Sequence, residues 1–221
     1  MSKTPPTYAA CDGFSGDEAT DRILDHLPHH ARMFIASTPR RNLELSTPRF
    51  MLRELAPSDF DALAALHADR EHRSYVLPHQ FGTSYIQRML AGALLLSHLE
   101  RRSIYHLAIV TRSAGAFAGI CTVSIRGSFV TSAYLGWELS REFSAKGVAV
   151  ETGTALIKFV RGLGVKRILA DCDARNTPCI SALCKLGMRP VRLRPWTLWA
   201  MRQRYGADLP YARLALHRPI T

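Results

Sequence analysis

The stretch from Leu139 to Ala155, LSREFSAKGVAVETGTA, constrains this chain more than any other. It is preceded by Ala133-Tyr-Leu-Gly-Trp-Glu-Leu139, where apolar residues recur at a spacing of two, the period of a strand. Ser144, Ala145, Lys146, Gly147, Val148 and Ala149 follow as a turn of mostly small residues, which let backbone approach a ligand closely. Glu151 to Arg161 then has the pattern of a helix. A helix N-terminus offers unpaired N–H groups and the positive end of the macrodipole, so strand, small turn and helix together can cradle a phosphate. An ordinary strand-to-helix connection also favours small residues. Neither Gly-x-Gly-x-x-Gly nor Gly-x-x-x-x-Gly-Lys-Ser/Thr is present to decide between the two readings.

At 221 residues and 47% hydrophobic, the chain is long enough for one domain with a sizeable core, or for a domain plus an extension. No apolar run approaches the roughly 20 residues of a membrane span. The opening MSKTPPTYAACDGFSGDEATD has no apolar signal core, and five cysteines form no paired framework, so the expected compartment is the reducing cytoplasm. Cys172, Cys179 and Cys184 lack the spacing of zinc ligands and have no histidine among them, so no metal is expected. The formal charge of +11, from 29 Lys plus Arg against 18 Asp plus Glu, favours polyanionic partners: phosphorylated cofactors, RNA or the ribosome surface.

In chain order, a Pro/Thr/Gly-rich segment to about Gly16 is expected to be flexible. Gly16 to Ile35 is a weak helical pattern in which His26, His29 and His30 read as surface residues rather than ligands. Ser37 to Ser46 reads as a linker, so residues 1–46 form an extension and 47–221 the main domain. Phe50 to Leu55 is a strand. A helix from Pro57-Ser58-Asp59 carries Phe60, Leu63, Ala64, Leu66 and His67 at helical spacing and breaks at Tyr75 to Pro78. Thr83 to Arg101 is a longer helix, followed by strands at Tyr105–Thr111, Ala116–Ile125 and Ala133–Leu139. After the central helix come a strand at Arg167–Asp173 and a helix from about Pro178 to Leu186. That helix is opened by Asn176-Thr-Pro and closed by Gly187, and a tail then supplies the last strands. The expected class is α/β (α+β): a mixed, mostly antiparallel sheet with one parallel pair across the central helix.

The order of elements and the segments Arg126-Gly-Ser-Phe129, Tyr134-Leu-Gly-Trp137, Glu142-Phe-Ser-Ala-Lys-Gly-Val-Ala-Val-Glu151, Asn176-x-x-Cys179 and Lys185-Leu-Gly-Met188 resemble the GNAT acetyltransferases. The chain looks most like the RimJ/RimL branch, the N-acetyltransferases of ribosomal-protein N-termini. The resemblance covers about Thr47 to Arg189 and is strongest from Gly119 to Gly187. It implies a GNAT fold with a splayed parallel pair at an acetyl-CoA site and helices on both faces. By match, Ala145, Lys146, Gly147, Val148 and Ala149 would bind the pyrophosphate. Trp137, Glu138 and Leu139 would lie along the pantetheine arm, and Asn176 would contact the cofactor. Three positions depart from the pattern: Glu142 stands where Arg or Gln is usual, Ala145 replaces the first glycine of the turn, and Cys179 replaces a serine thought to protonate the departing CoA thiolate.

Acyl transfer to an amine needs a neutral amine, a stabilised oxyanion and a proton for the leaving sulfur. Backbone N–H groups from Trp137 to Leu139 can serve the oxyanion. Cys179 can serve as the acid or be a small buried hydrophobe. Glu138 and His106 are candidate bases through water, although a solvated or structurally paired glutamate is the commoner fate. Trp196 and Trp199 read as packing residues more than ligands. Arg189, Arg192 and Arg194 line an acceptor groove or a solvated face. The expected activity is direct transfer of acetyl to a peptide or protein N-terminal amine. Acetylation of a small amine (antibiotic, polyamine or amino-acid conjugate) and a weakly catalytic CoA- or RNA-binding module are the alternatives. The oligomeric state, monomer or dimer, is left open.

Overall fold

Eight strand segments build one sheet, and the helices between them are apolar on a single stripe, so each can cover one face of it. A computed structural model describes residues 23–37, 42–69, 82–127, 132–199 and 211–217. The expected flexible opening to Gly16 and the break at Tyr75 to Pro78 lie outside the described residues, as do Ser128 and Phe129 of the first motif. Among the described residues the elements are α1 (His29–Ser37), β1 (Glu44–Ser46), β2 (Phe50–Glu54), α2 (Phe60–Ala68), α3 (Thr83–Ser97), β3 (Ile104–Thr111), β4 (Phe117–Arg126) and β5 (Ser132–Leu139). They continue with α4 (Val148–Gly162), β6 (Arg167–Asp173), α5 (Thr177–Lys185), β7 (Arg189–Pro190) and β8 (Tyr211–His217).

The strands lie in the order β1-β2-β3-β4-β5-β6-β8-β7. All neighbours are antiparallel except β5 and β6. One face carries Leu107, Ile109, Cys121, Val123, Ala133 and Leu135 against Val148, Leu156 and Val160 of α4 and Leu183 of α5. The other carries Ala108, Val110 and Ile120 against Leu63 of α2 and Ile86, Leu90, Ala91 and Ala93 of α3. The mixed sheet with helices on both faces is the expected class. Each large aliphatic side chain buried this way contributes about 1.5–3 kcal/mol, so the two faces and not intrinsic propensity hold the helices. Among the described residues no helix is long and apolar enough to cross a membrane.

Two boundaries differ from the sequence reading. The stretch read as a linker to Ser46 contains β1, which pairs with β2 through Leu45 and Leu52. The hairpin is closed by Thr47, whose N–H donates to the Phe50 carbonyl at 2.8 Å and whose hydroxyl accepts from the Phe50 N–H at 3.0 Å. The helix read to Arg101 ends at Ser97. Arg102 binds both carboxylate oxygens of Glu54 and stacks over Tyr105 at 4.3 Å, and these contacts pull the chain off the helix axis and into β3. His26, His29 and His30 are exposed, in keeping with their reading as surface residues.

Between β5 and α4 the chain passes through a 3₁₀ turn, Arg141–Phe143, and then enters the left-handed region at two alternate positions, Ala145 with φ 59° and Gly147 with φ 78°. Among the described residues Ala145 is the one non-glycine residue with positive φ. This is the position where the resemblance expects glycine, and the geometry gives the reason: a Cβ in this region costs about 1–2 kcal/mol. Against that stands the extra unfolded-state entropy of glycine. Ala145→Gly is therefore expected to stabilise the fold by about 0.5–1 kcal/mol, raising Tm by about 2 °C in a thermal melt. A lower Tm would show that the turn is not strained.

Candidate active site

Among the described residues β5 and β6 pair in parallel at Ser132↔Arg167, Ala133↔Ile168 and Tyr134↔Leu169. Beyond Tyr134, β5 stays bonded to β4 as far as Gly119↔Leu139, and β6 stays bonded to β8 as far as Asp173↔Tyr211. The sheet therefore splits: among the described residues no strand lies between the facing edges of Leu135–Leu139 and Ala170–Asp173, and such edges are the kind that a strand-like ligand can pair with. Gly119, with φ 145°, keeps β4 pressed to β5 here. A Cβ at that position would lie 2.1 Å from the Glu138 carbonyl oxygen, so only glycine fits.

The mouth of the split is closed by the first turns of two helices. α4 begins directly after Gly147, and its leading N–H groups have no intrahelical acceptors. Val148 is buried and anchors that end in the core, while Lys146 and Ala145 are exposed. Trp137 joins β5 to the same helix: its indole N–H donates to the Thr152 hydroxyl at 3.1 Å, and Thr152 donates to the Val148 carbonyl at 2.8 Å. The Trp137 and Leu139 side chains pack against the core on this face, so what these residues present to the split is backbone.

Sequence reasoning missed the residue that fastens the turn. Glu151, in the first turn of α4, accepts from the Thr47 hydroxyl at 2.7 Å, the Arg49 N–H at 2.8 Å and Arg49 Nε at 2.6 Å. Arg49 Nη2 also donates to the Lys146 carbonyl at 3.1 Å. Burial alone would push the Glu151 carboxyl up, but the hydrogen bonds from Thr47 and Arg49 and the guanidinium charge together hold it below the usual range. Arg49 thus brings a half-exposed cation to the turn from a hairpin about a hundred residues away. Glu151 had the signature of an acidic first-turn residue, but nothing local reveals its partner.

On α5, Asn176 Oδ1 accepts from the Cys179 N–H at 3.0 Å and caps the helix, and the amide NH₂ takes no part in that cap. Cys179 is half-buried opposite Cys172 of β6. A hydrogen bond from the Cys172 thiol holds Cys179 below the ordinary thiol range. The same bond, with burial and the nearby Asp171 and Asp173 charges, pushes Cys172 far up. Of the two, Cys179 is the group that ionises.

Glu138 lies on the opposite face of β5 from Trp137 and in the row Ala108–Ile120–Glu138. His67 of α2, read in the sequence as one more position on an apolar helix face, is buried with Nε2 3.1 Å from Glu138 Oε2, off the line of a well-formed hydrogen bond. The Tyr85 ring of α3 stands 5.7 Å from the His67 ring. Burial, and secondarily the Glu138 charge, raises Tyr85, with Arg88 opposing. His106 is in the neighbouring row, His106–Thr122–Gly136, with Nδ1 buried and without a partner. Burial lowers its pKa against the pull of Glu138, so it stays neutral at pH 7. The structure therefore brings Glu138 and His106 together, and adds His67 and Tyr85.

The remaining candidates are separate. Trp196 and Trp199, read as packing residues, are 62% and 65% exposed, because the helical turn 195–199 lies outside the core clusters. Arg194 stacks over Trp196 at 5.1 Å, and Arg189 and Arg192 are also exposed.

Comparison with known proteins places this geometry. Residues 49–189 match the family described as the acetyltransferase (GNAT) domain. No curated protein sequence matches the chain significantly. Among solved structures, RimL, described as a ribosomal L7/L12 α-N-protein acetyltransferase, aligns with a TM-score of 0.65 at 16% identity, covering 80% of this chain and 95% of its own. RimJ of Mycobacterium smegmatis, solved with a CoA-disulfide, aligns with a TM-score of 0.62 at 16% identity, covering 80% and 86%. MccE, the microcin C7 self-immunity acetyltransferase solved with acetyl-CoA and AMP, aligns at 0.61 and 15%, covering 77% and 93%. At these identities the likeness is one of fold. The family match, however, runs from the β1–β2 hairpin to β7 and takes in every element that borders the split in the sheet: the chain belongs to the GNAT acetyltransferase family and is an acetyl-transferring enzyme.

Proposed function

We propose that this enzyme is an acetyl-CoA-dependent N-acetyltransferase acting in the cytoplasm on the N-terminal α-amine of a protein or peptide, of the ribosomal-protein type. The observation that carries the reading is the split between β5 and β6, bordered by a helix N-terminus at its mouth, by Cys179 on one side and by Glu138 on the other face of β5. Acetyl-CoA would enter the split with its pyrophosphate on the turn Ala145–Ala149 and with Arg49 beside it. The amide of Asn176 would meet the cofactor near the second helix, and backbone N–H groups of Trp137–Leu139 would face the thioester oxygen.

Transfer is then direct. The neutral amine attacks the thioester carbonyl, a C–N bond forms and the C–S bond breaks. The amine proton passes to Glu138 through water, and the CoA thiolate takes the thiol proton of Cys179. The RimL and RimJ likenesses and the net positive charge support an acceptor of ribosomal type.

Acetyl-CoA at a hundred times its Kd is expected to stabilise the protein by about 2.7 kcal/mol, raising Tm by several degrees; no shift would remove the reading. Thiol release measured against N-terminal peptides and small amines should favour the peptides, and faster turnover of a small amine would replace the acceptor. Glu138→Gln is expected to lower kcat about a hundredfold with little change in the KM for acetyl-CoA. Arg49→Ala should weaken acetyl-CoA binding about three- to tenfold.

The acid role of Cys179 has a sign. The group works while protonated, and its hydrogen bond from Cys172 holds its pKa down, so activity should fall as pH rises through that lowered value. Cys179→Ser, with a hydroxyl that does not ionise in this range, is expected to move the alkaline limb of kcat to higher pH. An unmoved limb would assign Cys179 to packing.

A further inference from the structure

Among the described residues five large apolar side chains are exposed, and four of them, Val191, Trp196, Leu198 and Trp199, fall within one nine-residue stretch. Exposed apolar residues scattered singly need no account, but a group of them marks an interaction site. The stretch is anchored to the sheet. β7 is the edge strand beside β8, and immediately beyond it the Val191 N–H donates to the Arg213 carbonyl at 2.9 Å. The chain then enters the helical turn 195–199, where the Leu198 N–H donates to the Arg194 carbonyl at 3.0 Å. Trp196 and Trp199 are three positions apart on that turn, the spacing that makes side chains neighbours.

The surroundings of the indoles are basic. Arg189, Arg192 and Arg194 are exposed, and the Arg194 guanidinium lies over the Trp196 ring at 5.1 Å. From Ala174 to Trp199 the sequence carries five Lys and Arg and no Asp or Glu. Among the described residues no carboxylate pairs with these three arginines.

We propose that the β7 edge and the turn 195–199 form a docking surface for single-stranded RNA, with bases stacking on Trp196 and Trp199 and phosphates on Arg189, Arg192 and Arg194. Charge complementarity selects a polyanion, and the indoles select which one. An acidic peptide brings carboxylates without a row of π faces, and a duplex keeps its bases stacked inside. An unpaired strand presents a phosphate and a base face at every step. None of these residues takes part in the proposed acetyl transfer, so the inference goes beyond that reading and does not depend on it.

The test is fluorescence anisotropy of the intact protein with a fluorescein-labelled oligouridylate of about twelve nucleotides, within the site sizes that such surfaces cover. Affinity is expected to fall as salt rises. Replacing Arg189, Arg192 and Arg194 together by alanine should flatten the slope of log K against log salt by about two, because a single strand contributes about 0.7 per phosphate neutralised. Trp196→Ala and Trp199→Ala should each weaken binding about five- to a hundredfold, and Trp196→Phe or Trp199→Phe, which keep a ring, should lose less.

A second measurement needs no loss of affinity. The chain has three tryptophans and Trp137 is packed against the core, so stacked RNA should quench indole emission, and the quenching should disappear when Trp196 and Trp199 are both replaced by phenylalanine. No binding at low salt, binding by the wild-type protein without quenching, or affinity unmoved by the arginine and tryptophan substitutions would overturn the proposal. So would competition by polyglutamate, or by a duplex of the same length, as effective as competition by unlabelled oligouridylate. Should a variant fail to fold, the quenching and competition measurements on the wild-type protein decide the matter.

Discussion

Everything at the site depends on the parallel pairing of β5 with β6 stopping after three residues. Each strand is satisfied on its outer side, β5 by β4 and β6 by β8, so the pair can diverge without unravelling. Backbone groups that would otherwise bond across the sheet then line a slot. A buried row of unpaired amides and carbonyls is costly, and proteins tolerate such a row where a ligand or water completes it. The split is in this sense a defect in the sheet that the proposed binding would repair, and the surrounding contacts hold its two edges in place.

Those contacts come from far along the chain. Glu151 ties the first turn of α4 to the β1–β2 hairpin through three hydrogen bonds, and Trp137 ties it to β5 through Thr152. The turn is thus clamped from two sides while its left-handed residues, Ala145 and Gly147, aim the chain into the helix. An acidic side chain beside a turn proposed to bind an anion looks unfavourable, but Arg49 donates to both Glu151 and the Lys146 carbonyl. The hairpin neutralises the local negative charge that it uses as an anchor.

β5 does two jobs because successive side chains of a strand point to opposite faces. Trp137 and Leu139 belong to the core beneath α4 and α5 and give the strand its rigidity. Glu138, between them, projects to the face of α2 and α3, where His67, Tyr85 and His106 gather. A shift of register by one residue would bury the carboxylate and expose the tryptophan. Gly119 opposes such a shift, since its missing Cβ is what lets the Glu138 carbonyl approach.

The periodicities of the chain were enough to mark β2 to β6 and the helices α2 to α5, because each buries one face against the sheet and that face is written in the local pattern. The motifs along Gly119–Gly187 were enough for the family. Local pattern misled at Ser97, where Arg102 and Glu54 end a helix that propensity would have continued, and at β1, whose three residues acquire a strand's geometry from β2. It could not disclose that Ala145 takes positive φ, that Arg49 reaches the α4 turn, that Cys172 polarises Cys179, or that His67 faces Glu138. The sequence by itself determined β2 to β6 and the course of α2 to α5, because those depend on neighbours within a few residues. The tertiary structure alone decided which charged and polar side chains meet, because most of those meetings join distant segments, Arg49 with Lys146 lying 97 positions apart, whose proximity exists only once the sheet has assembled.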